Sequence, residues 1–328
     1  LDFTALDSPV LPTNSGRAVL GVSAANPEVL YVLSANTGSS NFSYQGLYKS
    51  TDSGTTFSES PNTTNIMESS QAWFDLALEV SPTDENELYM GCLNVWKSSN
   101  GGNSFNRLNQ WFVNNSAYTH ADIHTIRVFN DKVYVCSDGG IYMSQNGGAT
   151  FTDYTAGIAV SQFYRLSVSQ DNPSKMIGGL QDNGGQILEN GQWNNYHGGD
   201  GMDNVIDPNN DNLVYGFTQF GGSFNVSTNS GQSIGFVGPP RDTEGNTIQG
   251  NWITPLAISS TGEIYSGFDA VYKLVGNAWE KWSNDFGDGN IDDIEVDPTN
   301  PEVVYAVEGD FVYRSANGGT NFSAFYRA

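Results

Sequence analysis

The residues best suited to chemistry lie in three short polar runs, and all three histidines of the chain belong to them. Imidazole, carboxylate and carboxamide groups are the side chains that bind ligands or move protons in most protein sites. We therefore treat the runs as one set of candidate ligand-binding residues: His120, Asp122, His124, Asp138, Gln181, Asp182, Asn183, His197, Asp200 and Asp203.

His120, Asp122 and His124 occupy alternate positions of a predicted innermost strand. Alternate residues of a strand face the same side, so the three side chains are predicted to share one face. Such a set could bind zinc or another transition metal. A hydrogen-bonded cluster without a metal and a general acid–base role are the two alternatives.

Calcium is the cofactor that the acidic turns suggest. Asp-Gly pairs recur at Asp138, Asp200 and Asp288, and oxygen-rich turns of this kind can hold calcium. Asp288, Asn290 and Asp292 place oxygen ligands at alternate positions, but the glycine and the distal glutamate of an EF-type loop are missing. Asp-Gly is also a common turn dipeptide, which needs no metal.

Aromatic residues near predicted strand ends could form a platform for sugar rings beside these carboxylates. They are Trp73, Phe74, Tyr118, Phe163, Tyr164, Phe220 and Trp252, and we assign Trp73 and Trp252 to the ligand-binding set. Packing between sheets is the alternative interpretation of each of them.

A glycoside hydrolase needs two carboxylates across a cleft, roughly 5 to 10 Å apart. The acids that could serve are Asp75, Asp122, Asp182 and Asp200. Catalysis is the alternative to a binding function here.

A repeated turn motif reveals the elements that must position these residues. Each copy reads Ser, any residue, Asp or Asn, any residue, Gly, any residue, then a hydroxyl or amide residue and an aromatic, and we call it the box. The five copies are Ser50–Phe57 with Asp52, Ser98–Phe105 with Asn100, Ser144–Phe151 with Asn146, Ser227–Ser233 with Asn229, and Ser315–Phe322 with Asn317. In the fourth copy the aromatic is displaced to Phe236.

The box is a folding device rather than a reactive site. Its Asp or Asn can accept hydrogen bonds from backbone amides in its own turn, and its glycine supplies a positive φ. The aromatic is expected to pin the hairpin onto its sheet. We assign the motif a structural role only.

The spacing of the boxes predicts seven repeats. Successive box serines are 48, 46, 83 and 88 residues apart, so two repeats kept their length but lost the motif. Remnants stand at Gly191–Trp193 and Gly276–Trp279, and a proline turn recurs in phase, as at Pro27 and Pro298. Repeats of about forty residues with four strands are typical of propeller blades.

We predict an all-β chain, a single seven-bladed β-propeller over residues 1–328 with four-stranded blades. The blades span approximately 12–62, 63–114, 116–157, 160–197, 199–243, 248–284 and 286–328. Residues 1–10 include Leu1–Leu6, which is either an extra or closing strand of an end blade or the tail of a preceding domain. Loops that precede the first strand and loops between the second and third strands share one edge of a blade. The polar runs fall on that edge.

The boxes resemble the Asp-box (BNR) repeat family, which includes sialidases, xyloglucanase-type glycosidases and sortilin-like receptors. The runs His120–His124, Ser137–Ile141, Gln181–Gly184 and Gly198–Gly201 are similar to those of exported bacterial propellers in Bacteroidetes surface proteins. The resemblance implies fold more than function. A sialidase arginine cluster, the paired propellers of xyloglucanases and the cysteine-rich modules of sortilin have no counterpart in this sequence.

The net charge restricts the classes of partner, and the two cysteines allow two interpretations. With 13 basic and 36 acidic residues the net charge is −23, which argues against nucleic acid and anionic membrane surfaces. No apolar run is long enough to span a membrane. Cys92 and Cys136 could pair between blades, although free thiols are the preferred interpretation.

The function we expect is recognition or adhesion by a module of a larger secreted or cell-surface protein. It would bind a glycan or peptide, with or without calcium, and pack on neighbouring domains of the same polypeptide. The start at Leu1 without Met is read as a processed or excised end.

Overall fold

The computed structural model describes residues 6, 8–158, 161–287 and 289–327. Strands and turns form nearly all of its regular structure, with short 3-10 turns at Gly38–Ser40 and Gln219–Gly221. Within these ranges no helix has the length and apolarity that a membrane crossing requires. The predicted Leu1–Leu6 strand lies outside the described residues except for Leu6.

The strands form seven four-stranded antiparallel sheets, each of them a simple meander in chain order. This arrangement confirms the predicted fold class, a seven-bladed β-propeller with four-stranded blades. The chain divides into two compact units, Leu1–Ala159 with three blades and Val160–Ala328 with four. We call them unit one and unit two.

Unit one contains blades one to three. Their strands are β1 (Arg17–Ser23), β2 (Asn26–Ala35), β3 (Tyr44–Ser50), β4 (Ser58–Glu59), β5 (Ala77–Val80), β6 (Leu88–Gly91), β7 (Val95–Ser98), β8 (Asn106–Arg107), β9 (Ile123–Phe129), β10 (Lys132–Ser137), β11 (Gly140–Ser144) and β12 (Thr152–Asp153). Buried side chains from facing sheets, such as Leu33 with Leu78 and Tyr89 with Ile126, form its core. Cys92 and Cys136 are both free thiols, as preferred from the sequence.

Unit two contains blades four to seven. Their strands are β13 (Phe163–Val168), β14 (Met176–Leu180), β15 (Gly184–Glu189), β16 (Gln192–His197), β17 (Gly201–Ile206), β18 (Val214–Thr218), β19 (Phe224–Ser227), β20 (Gly235–Val237), β21 (Leu256–Ile258), β22 (Ile264–Gly267), β23 (Val271–Val275), β24 (Ala278–Lys281), β25 (Asp293–Val296), β26 (Val304–Glu308), β27 (Phe311–Ser315) and β28 (Phe322–Arg327). The Gly191 and Gly276 remnants form tight hairpins, where the two boxes are missing.

All five boxes adopt one hydrogen-bonded turn. In the second box the Ser98 hydroxyl donates to Asn100 Oδ1 at 2.9 Å and accepts from the Gly102 amide at 2.9 Å. Asn100 Oδ1 also accepts from the Ser104 amide at 3.0 Å. The same three bonds recur in the other boxes. The predicted structural role of the Asp or Asn therefore has a direct physical basis.

In the four boxes from the second onward, a glycine packs against the preceding blade of the same unit. Gly102 has φ +83°, and a Cβ there would stand 2.1 Å from the Leu47 side chain. The Trp282 indole likewise donates to the Gly318 carbonyl at 2.6 Å. Only a residue without a side chain allows this approach at positive φ, so the box couples the shape of a hairpin to the packing of two blades.

In blades one and two, a lysine on the strand that leads into the box stacks on a tyrosine of the neighbouring strand. Lys49 lies over the ring of Tyr31 at 5.3 Å, and Lys97 lies over Tyr89 at 5.0 Å. In both pairs the two residues are direct partners on the second and third strands of a blade. Cation–π pairs of this kind contribute about 0.5–1 kcal/mol or more when partly buried.

The prediction that the box aromatic packs its hairpin onto the sheet is wrong for one box. Phe236, the displaced aromatic of the fourth box, is 74% exposed and does not pin its hairpin. Val237, the next residue, packs into the core instead. Adjacent strand residues face opposite sides, so a displaced aromatic need not fall on the buried face.

Removing one box hydroxyl should lower stability measurably. We expect Ser98→Ala to lower the free energy of unfolding by about 1–3 kcal/mol, because the amides of Asn100 and Gly102 would lose their acceptor. Urea denaturation followed by circular dichroism measures the change. Ser174→Ala, at an exposed hydroxyl, should change it by less than about 0.5 kcal/mol. Equal effects of the two substitutions would contradict this role of the box.

Candidate functional site

Two aspartates lie directly before innermost strands in unit one, and a glutamine connects them. Asp75 precedes β5 and Asp122 precedes β9. Gln71 Nε2 donates to Asp75 Oδ2 at 3.2 Å and also to Asp122 Oδ1. Because one amide nitrogen contacts both carboxylates, the two acids of neighbouring blades are held close together.

Burial makes both aspartates weaker acids. Asp75 has no exposed surface, and its burial, which Gln71 opposes and the charge of Asp122 reinforces, raises its pKa to about 6. The buried Cys92 thiol lies 3.6 Å from Asp75 Oδ1. Burial also raises the pKa of Asp122, with the charge of Asp138 as the next cause. A carboxyl group without exposed surface cannot touch a ligand directly, so Asp75 supports its neighbours instead.

A histidine–aspartate pair lies at the same edge of the blade. His124 Nε2 donates to Asp138 Oδ1 at 2.6 Å, and both side chains are partly exposed. The His124 ring meets Phe74 edge to face, with ring centroids 4.8 Å apart. The polar cluster and the aromatic residues predicted from the sequence therefore touch at this point.

Three aromatic rings continue from there as a row, which we call the aromatic row: Phe74, Trp73 and Phe42. Neighbouring ring centroids are 5.6 and 6.5 Å apart. Trp73 is 57% exposed and Phe74 is 44% exposed. Arg17, at the start of β1, donates to the carbonyl of Trp73 at 3.2 Å and to that of Phe74. This guanidinium fixes the backbone that carries the exposed rings.

The predicted alternation of His120, Asp122 and His124 on one strand is wrong. Strand β9 begins only at Ile123, and Asp122 has φ +60°, in the left-handed region. That backbone turn ends the two-residue periodicity, and His120 Nδ1 donates to the carbonyl of Ala121 instead. Among the described residues, no group of three or more His, Cys, Asp or Glu side chains converges as metal ligands would.

In unit two, the predicted polar residues cluster at the start of β17. The Asp182 amide donates to Asp200 Oδ1 at 2.8 Å, and the Tyr164 hydroxyl donates to Gln181 Oε1 at 2.7 Å. The Asn183 carboxamide donates to the Gln181 carbonyl at 3.0 Å. The structure thus brings Gln181, Asp182, Asn183 and Asp200 together by bonds within the loops.

The side chains of His197 and Asp203 make contacts of their own, outside the bonds that join that cluster. His197 is buried, which lowers its pKa, and its Nδ1 lies 2.9 Å from the Gly198 carbonyl. Asp203 accepts from the amides of Asn204 and Leu256 at 2.8 and 3.0 Å, and burial raises its pKa to about 6. The bond to Leu256 ties blade five to blade six, which indicates a structural role for Asp203.

The proposed calcium residues are only partly described. Asp288 lies outside the described residues. Asn290 donates to the Gln249 carbonyl at 3.1 Å, and Asp292 accepts from Asn251 and from the Gly309 amide at 2.8 and 2.9 Å. A calcium site here stays a prediction.

At five of the seven predicted aromatic positions the side chain is exposed, which argues against the alternative that it packs between sheets. Trp73, Phe74, Phe163, Phe220 and Trp252 are all exposed. Tyr118 and Tyr164 are half-buried, and each packs against a core cluster.

Sequence reasoning missed three residues of the unit-one site, namely Arg17, Phe42 and Gln71. Their contacts join segments that are far apart in the chain, so no local spacing marks them. One signal could have identified Arg17. It lies at the start of the first strand of its blade, and the candidate acids lie at the same position in other blades.

Solved structures of low similarity were found in comparisons with known proteins. A GH74 enzyme from Niastella koreensis is 20% identical, with 93% of this chain and 58% of that chain covered and a TM-score of 0.32. The GH74 xyloglucanase from Xanthomonas campestris is 13% identical, with coverages of 94% and 60% and a TM-score of 0.33. YCF48 bound to D1 peptide is 14% identical, with coverages of 99% and 85% and a TM-score of 0.34.

This chain therefore spans about 58–60% of the length of the two GH74 structures. No family model matches the sequence, and no curated protein matches it.

The buried carboxyl of Asp75 generates a pH-dependent prediction. Its folded pKa of about 6 lies above the unfolded value of about 3.9, so the native state holds more protons between these values and loses stability as the pH rises through them. Asp75→Asn should therefore raise the free energy of unfolding at pH 7 by about 1–3 kcal/mol and change it little at pH 4.

Urea denaturation of both proteins at pH 4 and pH 7 measures this difference. Asp131→Asn, at an exposed turn, is the control and should change the free energy of unfolding by less than about 0.5 kcal/mol at either pH. A destabilised Asp75→Asn variant at pH 7 would contradict the inferred burial penalty.

Proposed function

We propose that this chain is a non-catalytic carbohydrate-recognition module of a secreted or cell-surface protein. The observation that carries the proposal is the aromatic row of unit one, in which Trp73 and Phe74 are exposed and Phe74 contacts His124 of the His124–Asp138 pair. Flat aromatic faces pack against the C–H faces of sugar rings, while neighbouring carboxylate and imidazole groups bind their hydroxyls. Asp122 and His120 flank the pair and complete the polar side of the proposed site.

The fixed backbone of the row supports recognition. Arg17 bonds the carbonyls of Trp73 and Phe74, so the two exposed rings are held without a ligand. A pre-organised surface loses less conformational entropy when it binds. Exposed apolar rings also cost free energy in water, which gives them a reason to be covered by a ligand.

The charge of the chain restricts the class of glycan. A net charge of −23 and the acids Asp122 and Asp138 repel anionic polysaccharides. We therefore propose a neutral glycan as the ligand, with calcium as an assisting ion to be tested. Neighbouring domains of the same polypeptide are the proposed protein partners, and neither nucleic acid nor membrane insertion belongs to this function.

Glycoside hydrolysis is the second candidate, and one contact favours it. Gln71 holds Asp75 and Asp122 on a single nitrogen, and both carboxyl groups have raised pKa values, as a general acid requires. The complete burial of Asp75 weighs against it, because a second catalytic carboxylate must reach the sugar or a water beside it. Asp200 and Asp182 of unit two bond to each other's loop and remain further candidates.

A glycan array followed by titration calorimetry tests the binding proposal. We expect saturable binding of at least one neutral oligosaccharide, weakened at least about ten-fold in Trp73→Ala and in Phe74→Ala, because each loses a stacked ring. Phe129→Ala, an exposed aromatic at the opposite edge of blade three, should leave the dissociation constant within about two-fold. Repeating the titration with EDTA tests the role of calcium.

Turnover assays on the same polysaccharides separate the two candidates. Hydrolysis that survives EDTA and disappears in Asp122→Asn would establish the enzyme and refute the binding module. Binding of peptides alone, or of no glycan at all, would refute the carbohydrate proposal.

A further inference from the structure

We infer that Phe220 and Trp252 form a second carbohydrate-binding site, contained within unit two, for one neutral pyranose ring. Their rings meet edge to face, with centroids 5.1 Å apart and planes at 80°, and we call this pair the aromatic shelf. Phe220 is 41% exposed and Trp252 is 38% exposed. This site does not depend on the proposed function of unit one, because it shares no residue with the aromatic row.

Phe220 has a strained backbone conformation. Phe220 has φ +58° and ψ +18°, a left-handed conformation that large side chains rarely adopt. Glycine or asparagine would fit this turn with less strain, and Phe220 is 41% exposed, so a large part of its side chain is not used for core packing. Strain of this kind at an exposed aromatic points to a role in ligand contact.

The surrounding chain holds both rings in place. The Phe220 amide donates to the Trp252 carbonyl at 3.1 Å, and the Phe220 carbonyl accepts from the Gly250 amide at 3.0 Å. Beside Trp252, the buried Thr254 hydroxyl donates to the Asn251 carbonyl at 2.9 Å, and Ile253 packs against the core. The shelf is therefore rigid without a ligand, although it is built from two loops.

Polar groups next to the shelf suit a hydroxylated ligand. In the described part of the chain the Trp252 indole N–H has no hydrogen-bond acceptor, and Trp252 is 38% exposed. The Asn251 carboxamide donates to Asp292 Oδ1 at 2.8 Å, which leaves its own oxygen as an acceptor. The indole donor of the shelf and the carboxamide acceptor of the neighbouring residue in the chain suit the hydroxyls of a pyranose, whose C–H groups pack on apolar rings.

Charge selects a neutral sugar over an acidic one. Asp292 lies against Asn251, and the whole chain carries a net charge of −23, so a uronic or sialic acid would be repelled. A proline-rich peptide could also stack on two aromatic rings and accept from the indole through its carbonyls, but proline has no N–H to donate to the carboxamide oxygen. We therefore commit to a neutral hexose or pentose ring.

Titration calorimetry with neutral hexasaccharides of glucose, xylose, mannose and galactose tests the shelf. We expect at least one to bind, and Trp252→Ala and Phe220→Asn to weaken its binding at least about ten-fold. Asparagine accepts the left-handed backbone, so Phe220→Asn should keep or raise the melting temperature while losing affinity. A purely structural Phe220 would give the opposite pattern, a lower melting temperature with unchanged affinity.

Two controls separate this site from the one in unit one. Phe236→Ala, an exposed ring on the last strand of blade five, should leave shelf binding within about two-fold. The Trp73→Ala, Phe74→Ala double variant should also retain it, even if the unit-one proposal fails. Unchanged affinity in Trp252→Ala, binding of a proline decapeptide in place of every sugar, or binding of none of the four hexasaccharides would overturn the inference.

Discussion

A buried serine hydroxyl in each box is the contact on which the five blades that carry a box depend. It accepts the amide of the box glycine and donates to the Asp or Asn two residues later, so the turn has one conformation. In the four boxes from the second onward, that conformation brings a glycine within contact distance of the preceding blade, as Gly102 reaches Leu47. A local hydrogen bond thus fixes a long-range packing distance, and its repetition explains how short strands with weak individual propensity form regular sheets.

The packing of the box turns also explains where a ligand-binding site can form. The box edge of each blade consists of short turns whose residues pack within or between blades. The opposite edge carries longer loops, such as residues 60–76, 108–122 and 238–255, which join successive blades. Both aromatic clusters and every polar candidate that remains accessible lie on loops or strand ends of that edge, because only there can residues vary without disturbing the contacts between blades.

Sequence periodicity predicted the fold because the box repeats its chemistry at regular spacing, and even the two blades without a box kept their length. It could not predict the site in detail. The left-handed backbone of Asp122 is a property of one residue, and it ended an alternation that spacing alone supported. Arg17 and Gln71 act on residues more than fifty positions away, through contacts that only the folded chain creates. Local patterns therefore predicted elements, whereas long-range contacts determine which side chains meet.

The two aromatic clusters show the same principle of construction. In unit one, Arg17 bonds the carbonyls of Trp73 and Phe74, and in unit two the Phe220 amide bonds the carbonyl of Trp252. Each of these hydrogen bonds is made to the main chain and not to the ring, so the position of the side chain does not depend on which residue type occupies it. A blade edge built in this way can exchange one aromatic or polar residue for another while keeping its geometry. Ligand preference can then change without loss of the fold, since the boxes that hold the blades together lie on the other edge.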